Sequence, residues 1–236
     1  MDDFLDRVVL VTGAGRGVGR AVATAFAAQG GILAVNDLTP INLDEIVRRI
    51  LAAGGRAKPY IFDVAKRMPV QAMVDQVAQD LGRIDILVHA AVVKPHASLF
   101  AMDEWDWNRT LEVNLGGAFY AIQVVGRVMQ RQGGGCIVNL GIPLHIDGAG
   151  SSSAASLEHN AAYLAGKEGL RGLTRAAAAE LAADQIRVNA VCLEQPGSGE
   201  AITPEQAADL VLQLCSPSAV QVTGQVIYPD GSLAMC

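Results

Sequence analysis

Along the chain, short runs of apolar and β-branched residues alternate with longer stretches whose apolar positions recur at helical spacing. The runs are "RVVLVT" (7–12), "ILAVN" (32–36), "AKPYIF" (57–62), "IDILVHA" (84–90), "GCIVNL" (135–140), "IRVNAVC" (186–192) and "QVIYP" (225–229). Most are apolar throughout rather than alternating, the mark of strands in a sheet covered on both faces. Helical periodicity fills the intervals at 17–29, 42–53, 68–81, 104–132, 160–183 and 204–215. A β-α-β succession of this kind winds right-handed into an α/β fold with a doubly wound, parallel, seven-stranded sheet. No linker, composition shift or internal repeat divides the 236 residues, so one domain spanning 1–236 is expected.

Composition narrows the function classes. A hydrophobic content of 51% supplies a core, and a formal net charge of −6 offers no basic patch, so no nucleic-acid partner is expected. The start, "MDDFLDRVVLVTG", is acidic and passes straight into a strand, unlike a secretory signal. The most apolar stretch is broken by Gln29, Gly30 and Gly31, which argues against a membrane span. Cys136, Cys192, Cys215 and Cys236 lack C-x-x-C spacing and read as thiols in a reducing cytoplasm. The histidines (His89, His96, His145 and His159) show no metal-ligand spacing, so no metal is expected.

The first strand runs into "VTGAGRGVGRAVATAFAAQG", with Gly13, Gly15, Gly17 and Gly19 around Arg16 and Val18. Such glycines permit a tight turn and let a diphosphate approach the backbone, where the amides of a helix N-terminus face the anion. An acidic residue, Asp37, closes the second strand; a carboxylate there accepts hydrogen bonds from ribose hydroxyls and repels a 2′-phosphate. Asp37 therefore favours NAD. Arg16, inside the turn, is suited to a 2′-phosphate and pulls towards NADP.

With Thr12-Gly13-x-x-x-Gly17-x-Gly19 and Tyr163-x-x-x-Lys167, the chain resembles the short-chain dehydrogenase/reductase family over nearly its whole length. The nearest look is to NAD-using and 3-ketoacyl-reductase-like members. Asp63 and Val64 resemble the adenine-contacting pair after the third strand. His89 and Ala90 occupy the cofactor-facing position after the fourth, where the family usually carries Asn-Ala-Gly. Asn114 stands at the family's helix asparagine.

The resemblance implies a Rossmann-type NAD(P)(H)-dependent oxidoreductase acting on a secondary alcohol or ketone. Tyr163 and Lys167 lie one helical turn apart and share a face. A tyrosine of ordinary pKa near 10 is a poor base at neutral pH. A neighbouring ammonium favours the phenolate, which can then exchange a proton with a substrate oxygen while hydride moves. By resemblance, Lys167 also holds the nicotinamide ribose, and Asn114 anchors a water in a proton relay. The resemblance further implies a homodimer or homotetramer built on the helices at 104–132 and 160–183.

The chain also departs from the family pattern. The family's catalytic serine follows the fifth strand; aligned by the strand end, this chain has Ile142 there, with Gly141 beside it. Counting back from Tyr163 lands instead near Gly150 and Ser151, because the intervening loop is longer than the family's. The strand end is the better anchor, and on that count the serine is absent, leaving Ser151, Ser152 or Ser153, or loop histidines His145 and His159, as substitutes. After the sixth strand "VCLEQPGSGEAITPEQAADL" delays Pro196-Gly197 and then enters the next helix at once, so the substrate-binding region at about 193–204 is shortened and the lid essentially lost. These losses keep a second reading open: a catalytically impaired dinucleotide-binding subunit with a regulatory or structural role.

Overall fold

The computed structural model describes residues 3–142, 160–193, 202–229 and 233–234. The first half of the chain forms β1 (Val8–Thr12), α1 (Gly17–Ala28), β2 (Ile32–Asp37), α2 (Pro40–Ala52), β3 (Arg56–Ile61), α3 (Arg67–Leu81) and β4 (Ile86–His89). The second forms α4 (Glu104–Leu111), α5 (Gly117–Gln132), β5 (Gly135–Ile142), α6 (Ala161–Leu181), β6 (Ile186–Cys192), α7 (Pro204–Cys215), β7 (Val226–Ile227) and β8 (Leu233–Ala234).

Alternate residues of a single strand serve opposite layers of the core. In β1, Val9 and Val11 face α1, packing with Val22 and Phe26, while Val8 and Leu10 face α3 and α5, packing with Met73 and Val125. Both layers are apolar, which is why the central strands read as unbroken hydrophobic runs. The strand order is β3-β2-β1-β4-β5-β6-β7-β8. Seven strands run parallel, as expected, and β8 pairs antiparallel with β7 at the edge.

Two local features differ from the periodicity reading. β3 bonds only to β2, and most of its side chains are exposed, so Pro59 sits on an edge strand where its missing N–H costs no ladder bond. The helix expected over 104–132 is interrupted by a π-helical turn, Glu112–Gly116. One extra residue in a turn leaves the apolar pattern almost unchanged, so periodicity does not report it. Among the described residues, no helix is long and apolar enough to cross a membrane, and no cluster of metal-binding side chains forms.

Leu10 is fully buried, and Leu51 is 53% exposed. Truncating Leu10 to alanine should therefore cost about 2–5 kcal/mol in urea unfolding. Leu51→Ala should stay within about 0.5 kcal/mol of the parent.

Candidate active site

Strand order reverses between β1 and β4, and a crevice opens beyond their carboxyl ends. It holds a cavity of about 470 Å³ that runs from Asp37, past Gly13 and Gly17, to Tyr163 and Lys167.

The glycine turn packs against the loop after β4. Gly13 has φ +64°, and a Cβ there would lie 2.7 Å from the Ala91 Cα. A Cβ on Gly19 would strike the Gly13 carbonyl oxygen. Only glycine permits both contacts. The first turn of α1 carries no acidic residue, so the positive end of the helix faces the cavity uncompensated. Arg16 and Val18 line the same wall, with Arg16 exposed.

Asp37 is fixed from two sides. Its Oδ2 accepts from the Gly15 N–H at 3.0 Å, and its Oδ1 from the Thr39 N–H at 3.2 Å. Asp63 and Val64 lie on the wall beside it. Burial works to raise the Asp63 pKa, but hydrogen bonds from Arg109, at 3.0 and 3.3 Å, and from Ala65 hold the carboxyl below its ordinary value.

His89 and Ala90 meet Thr12 behind the cleft. The Thr12 hydroxyl accepts from the Ala90 N–H at 3.2 Å and lies 3.0 Å from His89 Nδ1. The hydroxyl and the ring nitrogen share one hydrogen bond. Complete burial, reinforced by the charge of Lys167, pushes the His89 pKa down to about 3, so the imidazole is neutral.

Lys167 is 2% exposed and donates from Nζ to the Leu140 carbonyl at 2.7 Å. Burial lowers its pKa to about 8. Tyr163 stands half-buried one turn earlier, in the first turn of α6. Between Leu140 and Ile142 the register with β6 shifts, and Gly141 takes φ +83°. A Cβ placed on Gly141 would lie 3.2 Å from Lys167 Nζ and 3.6 Å from Tyr163 Oη. The two groups thus converge on the end of β5, at a residue that has no side chain.

Asn114 lies buried in the π-helical turn and braces the segment after β4. Its Nδ2 donates to the Val93 carbonyl at 2.9 Å, and its Oδ1 accepts from the Val93 N–H at 2.9 Å. Two further residues join the site without any signal in the sequence. Arg109 reaches Asp63 across 46 positions of chain. Lys94 places Nζ 4.8 Å from the centroid of the Tyr163 ring, nearer than Lys167 at 5.9 Å. The serine substitutes Ser151 to Ser153, the histidines His145 and His159, and the Pro196-Gly197 pair lie outside the described residues. The Ile202 N–H donates to the Leu193 carbonyl at 2.9 Å, so the chain departs and returns beside the end of β6 within eight residues.

The family model for short chain dehydrogenases matches residues 7–198. The chain belongs to that family. A 3-oxoacyl-(acyl-carrier-protein) reductase of Thermotoga maritima is 34% identical over 249 residues, covering 97% of this chain and 98% of that protein. A D-threitol dehydrogenase of Mycolicibacterium smegmatis is 32% identical over 95% of this chain and 92% of its own length. The crystal structure of a metagenomic short-chain oxidoreductase in complex with NADP superposes with a TM-score of 0.83 at 32% identity, covering 94% of this chain and 95% of that one. The protein is accordingly a short-chain dehydrogenase, an oxidoreductase of CH–OH or carbonyl groups with an NAD(P)-binding Rossmann fold.

Neutral His89 makes this short-chain dehydrogenase acid-sensitive. Its folded pKa of about 3 lies below the ordinary 6.5, so the unfolded chain binds the extra proton between those values. The contribution to stability is full above about pH 6.5 and falls by up to about 1.4 kcal/mol per pH unit towards pH 3. His89→Asn should flatten that part of the slope in denaturation curves recorded from pH 4 to 7, whatever it does to stability at neutral pH.

Proposed function

We propose that this short-chain dehydrogenase interconverts a secondary alcohol and a ketone with NAD(H), using Tyr163 as the acid/base. Lys167 is its electrostatic support and ribose clamp, and Asn114 belongs to the proton relay behind them. The observation that carries this reading is the convergence of Tyr163 Oη and Lys167 Nζ on Gly141, at the inner end of a cleft with dinucleotide-binding features.

The cleft fits a dinucleotide on its own chemistry: a fixed carboxylate at one end, an uncompensated helix N-terminus in the middle and a buried ammonium at the other. When bound, the nicotinamide supplies or accepts the hydride. In the oxidative direction the substrate C–H bond breaks with its electron pair, and the O–H proton passes to the Tyr163 phenolate. In reduction Tyr163 returns that proton to the carbonyl oxygen. Lys167 and the N-terminal dipole of α6 both favour negative charge on Tyr163.

Asp37 supports NAD over NADP. Held by two backbone amides, its carboxylate cannot swing aside to admit a 2′-phosphate, whereas Arg16 is exposed at the start of α1. The short return from Leu193 to Ile202 supports an open substrate-binding region. Exposed Phe100, Trp105 and Phe119, before α4 and along α4 and α5, support the homodimer or homotetramer expected from the sequence.

Titration with NADH and NADPH, followed by turnover on a panel of alcohols and ketones, tests the reading. Tyr163→Phe should bind NADH as the parent does and lose about 10²- to 10⁴-fold in kcat. Turnover that survives in this variant would reject Tyr163 as acid/base. Asp37→Ala should weaken NADH and strengthen NADPH binding; an unchanged ratio would reject the assignment to NAD.

A further inference from the structure

The chain has four lysines, Lys58, Lys66, Lys94 and Lys167, and they stand in different environments. Lys58 pairs with Asp80 at 2.8 Å, and Lys66 pairs with Glu112 at 2.9 Å. Lys167 is buried on the Leu140 carbonyl. Lys94 has no ion pair among the described residues; its ammonium lies 4.8 Å from the centroid of the Tyr163 ring. Tyr163 is therefore flanked by two cations, Lys167 from the interior and Lys94 from the exposed side of the site.

The placement is built into the backbone. Lys94 immediately follows Val93, whose N–H and carbonyl are both clamped by the buried Asn114 side chain. A long side chain on an exposed loop is ordinarily free to roam. Here its root is fixed by two hydrogen bonds from the π-helical turn, and its tip rests on an aromatic face, which attracts a cation.

From this we infer that Lys94 is a substrate-binding residue and that the substrate carries a carboxylate on, or one carbon removed from, the reacting carbon: a 2- or 3-hydroxy acid and the matching oxo acid. The inference rests on the proposed role of Tyr163, since the reacting oxygen must sit against its hydroxyl. Lys94 Nζ then lies within about one tyrosine side chain of the reacting carbon. An exposed ammonium with no carboxylate paired to it among the described residues attracts an anion and leaves a neutral ketone unaided. Gly141, beside the Tyr163 hydroxyl, offers no side-chain donor, so Lys94 supplies the positive charge that orients the substrate. The ammonium stays hydrated until the anion arrives, so the recognition weakens as salt rises.

The test uses the full chain and 2-oxo and 3-oxo acids of about three to six carbons, each against its own methyl ester. Tyr163→Phe keeps the aromatic face and removes the chemistry, so binding is read in that background by calorimetry, with and without NADH. At least one acid should bind about 10- to 100-fold tighter than its ester, the range of a charge-assisted hydrogen bond. Adding Lys94→Met should bring that ratio close to one; Lys94→Arg should retain most of it, and high salt should compress it. An acid preference that survives Lys94→Met would overturn the inference, as would the absence of any acid preference in the Lys94 parent. Loss of NADH binding, or turnover that survives Tyr163→Phe, counts against the proposed function and leaves the acid-to-ester comparison intact.

Discussion

Everything in the site follows from a divergence of crossovers at the middle of the sheet. From β1 the chain works outward to β2 and β3, then returns to place β4 on the other side of β1 and works outward again to β7. Helices that cover opposite faces cannot both close over the gap between β1 and β4, so a crevice stays open at the carboxyl ends of those strands. The glycine turn, the end of β2, the His89-Ala90 segment and the end of β5 all deliver their residues to that crevice. Gly13 and Gly19 tighten it from below, since the backbones there approach too closely for any side chain.

The electrostatics of the crevice are set by burial and by backbone groups more than by opposed charges. Lys167 is held by a carbonyl instead of a carboxylate, and burial lowers its affinity for its proton. His89 feels the Lys167 charge and stays neutral. A second buried positive charge beside Lys167 would add desolvation and repulsion with nothing to offset either. His89 is thus held as a neutral hydrogen-bond partner of Thr12, which in turn fixes the amide of Ala90.

Asn114 and Gly141 show how one irregularity of backbone serves another. The π-helical turn presents Asn114 to both polar groups of Val93, which fixes the root of Lys94. The bulge at Gly141 leaves open the space towards which Tyr163 and Lys167 point. At that end of β5, Gly141 offers no side chain. The charges that surround the tyrosine come from α6 and from the loop after β4.

The order of strands and helices was legible in the sequence because parallel strands buried on both faces leave continuous apolar runs, and crossover helices leave a 3.6-residue period. The glycine turn, Asp37 and the Tyr163/Lys167 spacing were legible for the same reason: each is local, and its chemistry is carried by residues within a turn or a strand end of one another. Pairings across long stretches of chain were not. Nothing in the sequence connects Arg109 to Asp63, Asn114 to Val93 or Lys94 to Tyr163, because those contacts exist only once α4, α5 and α6 have packed against the carboxyl edge of the sheet. The π-helical turn escaped for a related reason: a single inserted residue is invisible to a periodicity that spans the whole helix. Local sequence therefore determined the fold and the Tyr163/Lys167 pair, and tertiary packing alone decided which charged and polar groups surround that pair.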